Sequence, residues 1–168
     1  VAVAEAAAGD DTCDFANDNA PGQVVVSGSR TAVERALDIA KEKGAKRAML
    51  LPVSAPFHCA LMAPAADVMA RALAEVNMSD PSVPVIANVT AAAVSDAATV
   101  RQLLVEQVTG RVRWRECVLA MKDAGVTELV EVGSGKVLSG LARRIDRDMG
   151  AVNIETPEDV AAFLAAQE

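Results

Sequence analysis

Gly22-Gln23-Val24-Val25-Val26-Ser27-Gly28, followed closely by Thr31-Ala32-Val33-Glu34-Arg35-Ala36-Leu37-Asp38-Ile39-Ala40, is the stretch on which the fold turns. A β-branched run between two glycines predicts a buried strand over Gln23 to Ser27. Behind it Thr31 is a predicted N-cap with Glu34 three residues on, Val33, Ala36, Leu37 and Ala40 share one helix face, and Gly44 closes the helix. Upstream, alanine-rich Val1 to Ala8 is helix-compatible and stops at Gly9-Asp10-Asp11. Cys13 to Ala16 reads as a short strand, with a turn over Asn17 to Gly22. Downstream, Ala48 to Val53 reads as a further strand ending at Pro56. Helix, strand, strand, helix, strand in that order resembles a split β-α-β unit whose first strand is cut off. Together with a start at Val1 in helix-like sequence, it points to missing sequence upstream.

Beyond this unit the pattern alternates. Leu61 to Val76 is helical, with Met62, Ala65, Ala66, Met69, Leu73 and Val76 on one stripe expected to pack in a core. Val85 to Val89 is a strand candidate, Thr99 to Val108 and Trp114 to Ala124 are helices, and Glu128 to Val132 is a strand. Lys136 to Met149 is a helix, Ala151 to Ile154 a last strand, and Thr156-Pro157-Glu158-Asp159 a helix start with proline in the first turn. Strands alternating with helices predict an α/β layer with mostly parallel pairing.

The 168 residues suffice for a real core, but the 52% of apolar residues is largely alanine, with Phe15, Phe57, Trp114 and Phe163 the only aromatics. A formal charge of −7 opposes any role that depends on gripping nucleic acid or an anionic membrane. No apolar run is long enough to cross a bilayer and no basic leader opens the chain, so a cytoplasmic location is expected. Cys13, Cys59 and Cys117 are odd in number and lack a C-x-x-C pair, which suits reduced thiols better than a disulfide framework or a zinc site.

His58 is the single histidine, in Leu51-Pro52-Val53-Ser54-Ala55-Pro56-Phe57-His58-Cys59-Ala60-Leu61-Met62. Imidazole is the side chain best suited to proton transfer near neutrality, yet a histidine among apolar residues also fits a hydrogen-bonded structural role. Gly133-Ser134-Gly135-Lys136 opens a helix after a strand, where N–H groups can hold an anion. It is not a P-loop, since Val130 and Val137 stand where glycine and Ser or Thr belong. It is either a tight strand-to-helix turn or a loop lining an active site. Arg111, Arg113, Arg115, Arg143, Arg144 and Arg147 offer a basic face for an acidic partner, or simply solvate their helices. No G-x-S-x-G elbow surrounds any serine, and Cys59 is too close in sequence to His58 to make a dyad with it.

Pro21 to Gly28, Lys43-Gly44-Ala45-Lys46-Arg47-Ala48, Leu51 to Met62 and Glu131 to Leu141 resemble, in order and spacing, malonyl-CoA:acyl-carrier-protein transacylase of bacterial type II fatty-acid synthesis. The resemblance runs from about Ala16 to Arg147 and implies a C-terminal half. It implies an α/β fold: a ferredoxin-like small subdomain, residues 1–58 with its first strand missing, and part of an α/β-hydrolase-like large subdomain, residues 59–168. It implies a ping-pong reaction by a Ser-His dyad, without cofactor, from malonyl-CoA to the phosphopantetheine thiol of acyl carrier protein. His58 matches the family's base, and counting back from Trp114 puts the orienting main-chain carbonyl on Gln107. Phe57 matches a position that selects the unbranched malonyl unit, or is an ordinary wall residue, and Asn88 matches an asparagine near the active site. The serine elbow, the carboxylate-binding arginine and the oxyanion segment belong to the family's earlier half and do not occur here. Alone the chain is expected to be inactive, with the missing N-terminal half as its partner. The alternative is a non-catalytic protein-binding or structural remnant.

Overall fold

The computed structural model describes residues 1–167 as a mixed α/β chain. Helix α1 (Ala2–Ala8) leads into an antiparallel hairpin of β1 (Cys13–Ala20) and β2 (Gln23–Gly28), then helix α2 (Arg30–Glu42). Alanines let these pieces approach closely: Ala4 and Ala7 of α1 meet Ala32 and Ala36 of α2, with Cys13 and Val26 of the hairpin beneath. Arg35 reaches across from α2 to the carbonyls of Ala7 and Ala8, both at 2.9 Å, and to Asp11, whose own N–H also donates to the Ala8 carbonyl. A guanidinium there satisfies acceptors that α1 cannot, at the end of a helix that favours positive charge. Gly28 permits the crossing of hairpin and loop, because a Cβ on it would lie 2.0 Å from the Thr12 carbonyl oxygen.

Several local expectations yield to tertiary contacts. The turn foreseen over Asn17 to Gly22 shrinks to Pro21-Gly22, and β1 runs on through Ala20 with two register shifts. Turn-forming residues stay extended because Ala16 and Asp18 pair with the main chain of Val112, and Arg115 binds the Asp18 carboxylate. Ser29, not Thr31, caps α2, accepting from the Ala32 N–H at 3.3 Å, while Thr31 donates to Asp11. The buried face of α2 is Ala32 and Ala36 with Ile39 beside them, one step round from the face read in the sequence. The strand β2 is not buried throughout, since Val24 is 58% exposed.

Ala48 to Val53 forms no strand. Its residues are largely exposed and join no ladder: β1 pairs with β2 and bridges Val112, and neither strand of the hairpin pairs with this segment among the described residues. A lone strand has nowhere to place its backbone hydrogen bonds except water.

A 3-10 turn, Ala60–Met62, then opens α3 (Ala63–Ala74), shorter than the periodicity suggested. Its stripe is not a core stripe, as Met69 and Val76 are exposed and α3 buries no residue fully. The strand candidate at 85–89 is half of an unforeseen hairpin, β3 (Val85–Ala87) with β4 (Ala92–Val94). Helices α4 (Ala97–Thr109) and α5 (Trp114–Asp123), strand β5 (Glu128–Val132), helix α6 (Val137–Ile145), strand β6 (Gly150–Ile154) and helix α7 (Pro157–Ala165) complete the chain. Among the strand pairs of the described residues only β5 and β6 run parallel, with a lone parallel bridge between Asn17 and Val112; the other two pairs are antiparallel, against the mostly parallel layer expected. Helix α7 starts on a capping box between Thr156 and Asp159. No helix is long and apolar enough to cross a membrane among the described residues.

Candidate active site

Pro56-Phe57-His58-Cys59 makes the tight turn that delivers the chain to α3. His58 has a φ of 58°, in the left-handed region, which histidine tolerates better than most residues but at a cost on the order of 1 kcal/mol. Three contacts hold the turn. The Cys59 thiol donates to the Pro56 carbonyl at 3.1 Å, the Ala60 N–H donates to the Asp14 carboxylate at 2.8 Å, and His58 Nδ1 lies 3.0 Å from the main-chain oxygen of Gln107. A carbonyl only accepts, so Nδ1 carries the proton, and it is Nε2 that has the free lone pair whenever the ring is neutral.

The Gln107 carbonyl is free to accept because it belongs to the last turn of α4, where no following helical N–H reaches it. Its own side chain folds back, donating from Nε2 to the Gly110 carbonyl at 2.9 Å. Gly110 is packed so closely that a Cβ would stand 2.8 Å from both the Glu106 oxygen and Val89. The helix end that presents the acceptor is therefore held from several sides.

Asn88 and Phe57 do not join this pair. Asn88 follows β3, accepts a main-chain hydrogen bond from Arg113 and lines a cleft of about 610 Å³ with Ile86, Trp114, Leu129 and Leu138. Its side-chain oxygen faces the Cys117 thiol at 3.5 Å, whose pKa burial pushes up to about 11. His58, Gln107 and Phe57 are not among the residues lining that cleft, and Phe57 is 47% exposed. All three cysteines are free and buried, and the Cys59 thiol points to Pro56 rather than to the imidazole.

The glycine-rich loop between β5 and α6 is a strand-to-helix turn, several of whose donors are engaged by carboxylates of the chain itself. Ser134 Oγ and the Gly135 N–H both bind the Glu155 carboxylate at 3.2 Å. The N–H groups of Leu138 and Ser139, with the Ser139 hydroxyl, bind Glu131. Those hydrogen bonds hold the Glu131 carboxyl below its ordinary range, as expected at a helix N-terminus. Most of the arginines are likewise engaged. Arg113 pairs with Glu116, Arg115 with Asp18, Arg111 stacks 4.8 Å over Phe15, Arg143 donates to the Ala151 carbonyl, and Arg144 to Gln23 and Pro21.

Asp14, Asp18 and Glu131 carried no signal in the sequence that would have singled them out. Asp14 lies 46 residues from the N–H it accepts, and nothing local distinguishes it from a solvated aspartate.

No family model matches the chain. In sequence it is 47% identical over 152 residues to malonyl CoA-acyl carrier protein transacylase of Haemophilus influenzae, covering 90% of the chain and 48% of that protein. The counterpart in Salmonella typhimurium is 48% identical over 148 residues, covering 88% and 48%. In structure it matches acyl-carrier-protein S-malonyltransferase of Bartonella henselae with a TM-score of 0.93 and 53% identity, over 98% of this chain and 52% of that one. A malonyl-transacylase solved in complex with a type II PKS acyl-carrier protein matches with a TM-score of 0.92 and 40% identity, over 98% and 53%. Sequence and fold together put the chain in the class of acyltransferases. It spans about half the length of the curated relatives it matches. Within that class it belongs to the malonyl CoA-acyl carrier protein transacylase family.

Proposed function

We propose that the chain is the base-bearing, C-terminal half of an enzyme that moves a malonyl group from CoA to the phosphopantetheine thiol of acyl carrier protein, in the cytoplasm. The observation that carries this reading is the His58 Nδ1 to Gln107 oxygen contact of 3.0 Å, which leaves Nε2 as an oriented base. A serine from the missing half is the nucleophile. His58 Nε2 takes the serine proton as the Oγ–C bond forms on the thioester carbonyl. When the C–S bond breaks, the imidazolium returns that proton to the CoA thiolate. A second round runs from the carrier thiol, whose proton passes through Nε2 to the serine oxygen as malonyl leaves. No cofactor takes part.

A neutral carbonyl stabilises imidazolium less than a carboxylate would. Gln107 partly makes up the difference by standing at the C-terminal, partially negative end of α4. Phe57, beside the base, limits the pocket to an unbranched acyl group, and Asn88 contributes from the turn after β3 once the other half closes the cleft. In this reading residues 1–58 are the ferredoxin-like small subdomain and residues 59–168 belong to the α/β-hydrolase-like large one. A purely structural remnant is not favoured, since the relatives are transacylases.

The test is reconstitution. This chain, mixed with the N-terminal half of the Bartonella henselae enzyme, should restore malonyl transfer to holo-acyl carrier protein, and His58→Ala should abolish it. A stable complex of the two halves with no activity, or activity untouched by His58→Ala, would overturn the proposal.

A further inference from the structure

The strand β1 touches both ends of the His58···Gln107 hydrogen bond. At one end, the Asp14 carboxylate accepts from the Ala60 N–H at 2.8 Å, two residues beyond His58. At the other, the Val112 N–H donates to the Ala16 oxygen at 2.8 Å and the Asp18 N–H donates to the Val112 oxygen at 2.9 Å, which ties down the loop that leaves α4 just after Gln107. Arg115 then grips the Asp18 carboxylate through Nε at 3.0 Å and Nη2 at 2.6 Å. Residues 14, 16 and 18 thus measure off the distance between two segments that lie 49 residues apart in sequence.

We propose that Asp14 is a positioning residue for His58, holding the strained turn so that Nδ1 stays on the Gln107 carbonyl. The physical need is plain. A left-handed φ at a non-glycine residue relaxes unless its surroundings over-determine it. Cys59 to Pro56 is a contact within the turn and cannot fix where the turn sits, whereas Asp14 ties it to a strand paired along its length. A charged acceptor on a backbone N–H is also stronger than a neutral one. Without it the turn shifts, the Nδ1–H loses its acceptor, and the imidazole samples the other tautomer, with its proton on Nε2. That form cannot accept the serine proton at Nε2.

For its catalytic consequence the proposal rests on His58 acting as base; its structural part does not. Because the chain has a single histidine, a long-range ¹H–¹⁵N spectrum shows one imidazole, and the tautomer is read without assignment. The expected result is a predominantly Nδ1–H ring in the native chain, a shift toward the Nε2–H form in Asp14→Ala, and retention of Nδ1–H in Asp14→Asn, whose amide oxygen still accepts. Asp11→Ala, which removes a contact of Arg35 at the far side of the same unit, should leave the tautomer alone. Amide exchange of Ala60 in the unaltered chain is the second measurement, and it should be protected. An Ala60 amide exchanging at the free-chain rate overturns the proposal, as does a tautomer unchanged in Asp14→Ala. A shift in Asp14→Asn as large as that in Asp14→Ala overturns it too. If Asp14→Ala does not fold, Ala60 exchange and Asp14→Asn decide.

In the reconstituted enzyme Asp14→Ala should lower kcat on the order of ten- to a hundredfold with KM for malonyl-CoA little changed. A tautomer that responds in a complex lacking activity refutes the base reading and leaves the positioning role standing. Activity that survives with a tautomer indifferent to Asp14 refutes the positioning role alone.

Discussion

The unit of α1, β1, β2 and α2 and the unit from α3 to α7 solve the same problem differently. The first is small but closes on itself, with Ala4, Ala7, Cys13, Ala32 and Ala36 forming a continuous buried cluster. In the second, α3, α4 and α7 bury no residue fully, Val132 is 77% exposed, and a cleft of about 610 Å³ opens between α5 and β5. A hairpin and two flanking helices can satisfy one another at short range. A two-stranded parallel pair flanked by helices cannot, because each face and edge of such a sheet calls for another layer or strand. The open unit is the one that leaves apolar faces uncovered.

That contrast can be broken most severely at Gly28. Gly28→Ala drives a methyl into the Thr12 carbonyl and should cost about 3 kcal/mol, read as a large fall in Tm, while the far unit is untouched locally. Val118, fully buried on α5, is the matching probe of the second unit. Val118→Ala should cost about 2 kcal/mol, and a smaller loss would mean that the open unit is already loosely packed.

A third comparison uses pH. The Cys117 thiol stays neutral in the folded chain up to about 11, against an ordinary value of 9.0, so above pH 9 the unfolded state binds fewer protons than the native one. Stability should therefore be whole below pH 9 and fall as pH rises through 11, and Cys117→Ala should remove that part of the slope in an alkaline Tm series. The smallest effect is expected at the exposed edge. Val132→Lys should change the stability of the chain alone by no more than about 0.5 kcal/mol, yet weaken its association with the N-terminal half in a binding assay. Equal association of the two forms would show that this face is not the one covered.

Much of the order of elements was legible because it depends on local signals. The helix start at Thr156-Pro157-Glu158-Asp159 and the Val24 to Val26 run need only neighbours a few residues away. The Ala48 to Val53 strand was misread for the opposite reason, since β propensity describes a willingness to pair and not the presence of a partner. Asn17 to Asn19 look like a turn in isolation, and become strand because Val112 and Arg115 arrive from nearly a hundred residues away.

The site divides along the same line. His58 and Gln107 could be named from a motif and a count because resemblance preserves spacing. Their residue types and the alternation of helix and strand were set by sequence alone. What only the tertiary structure decided was the hydrogen bond between them, the left-handed turn that presents the ring, and the strand β1 that ties both ends together. Those depend on free backbone acceptors and donors meeting across the fold, and a backbone group leaves no mark in the sequence.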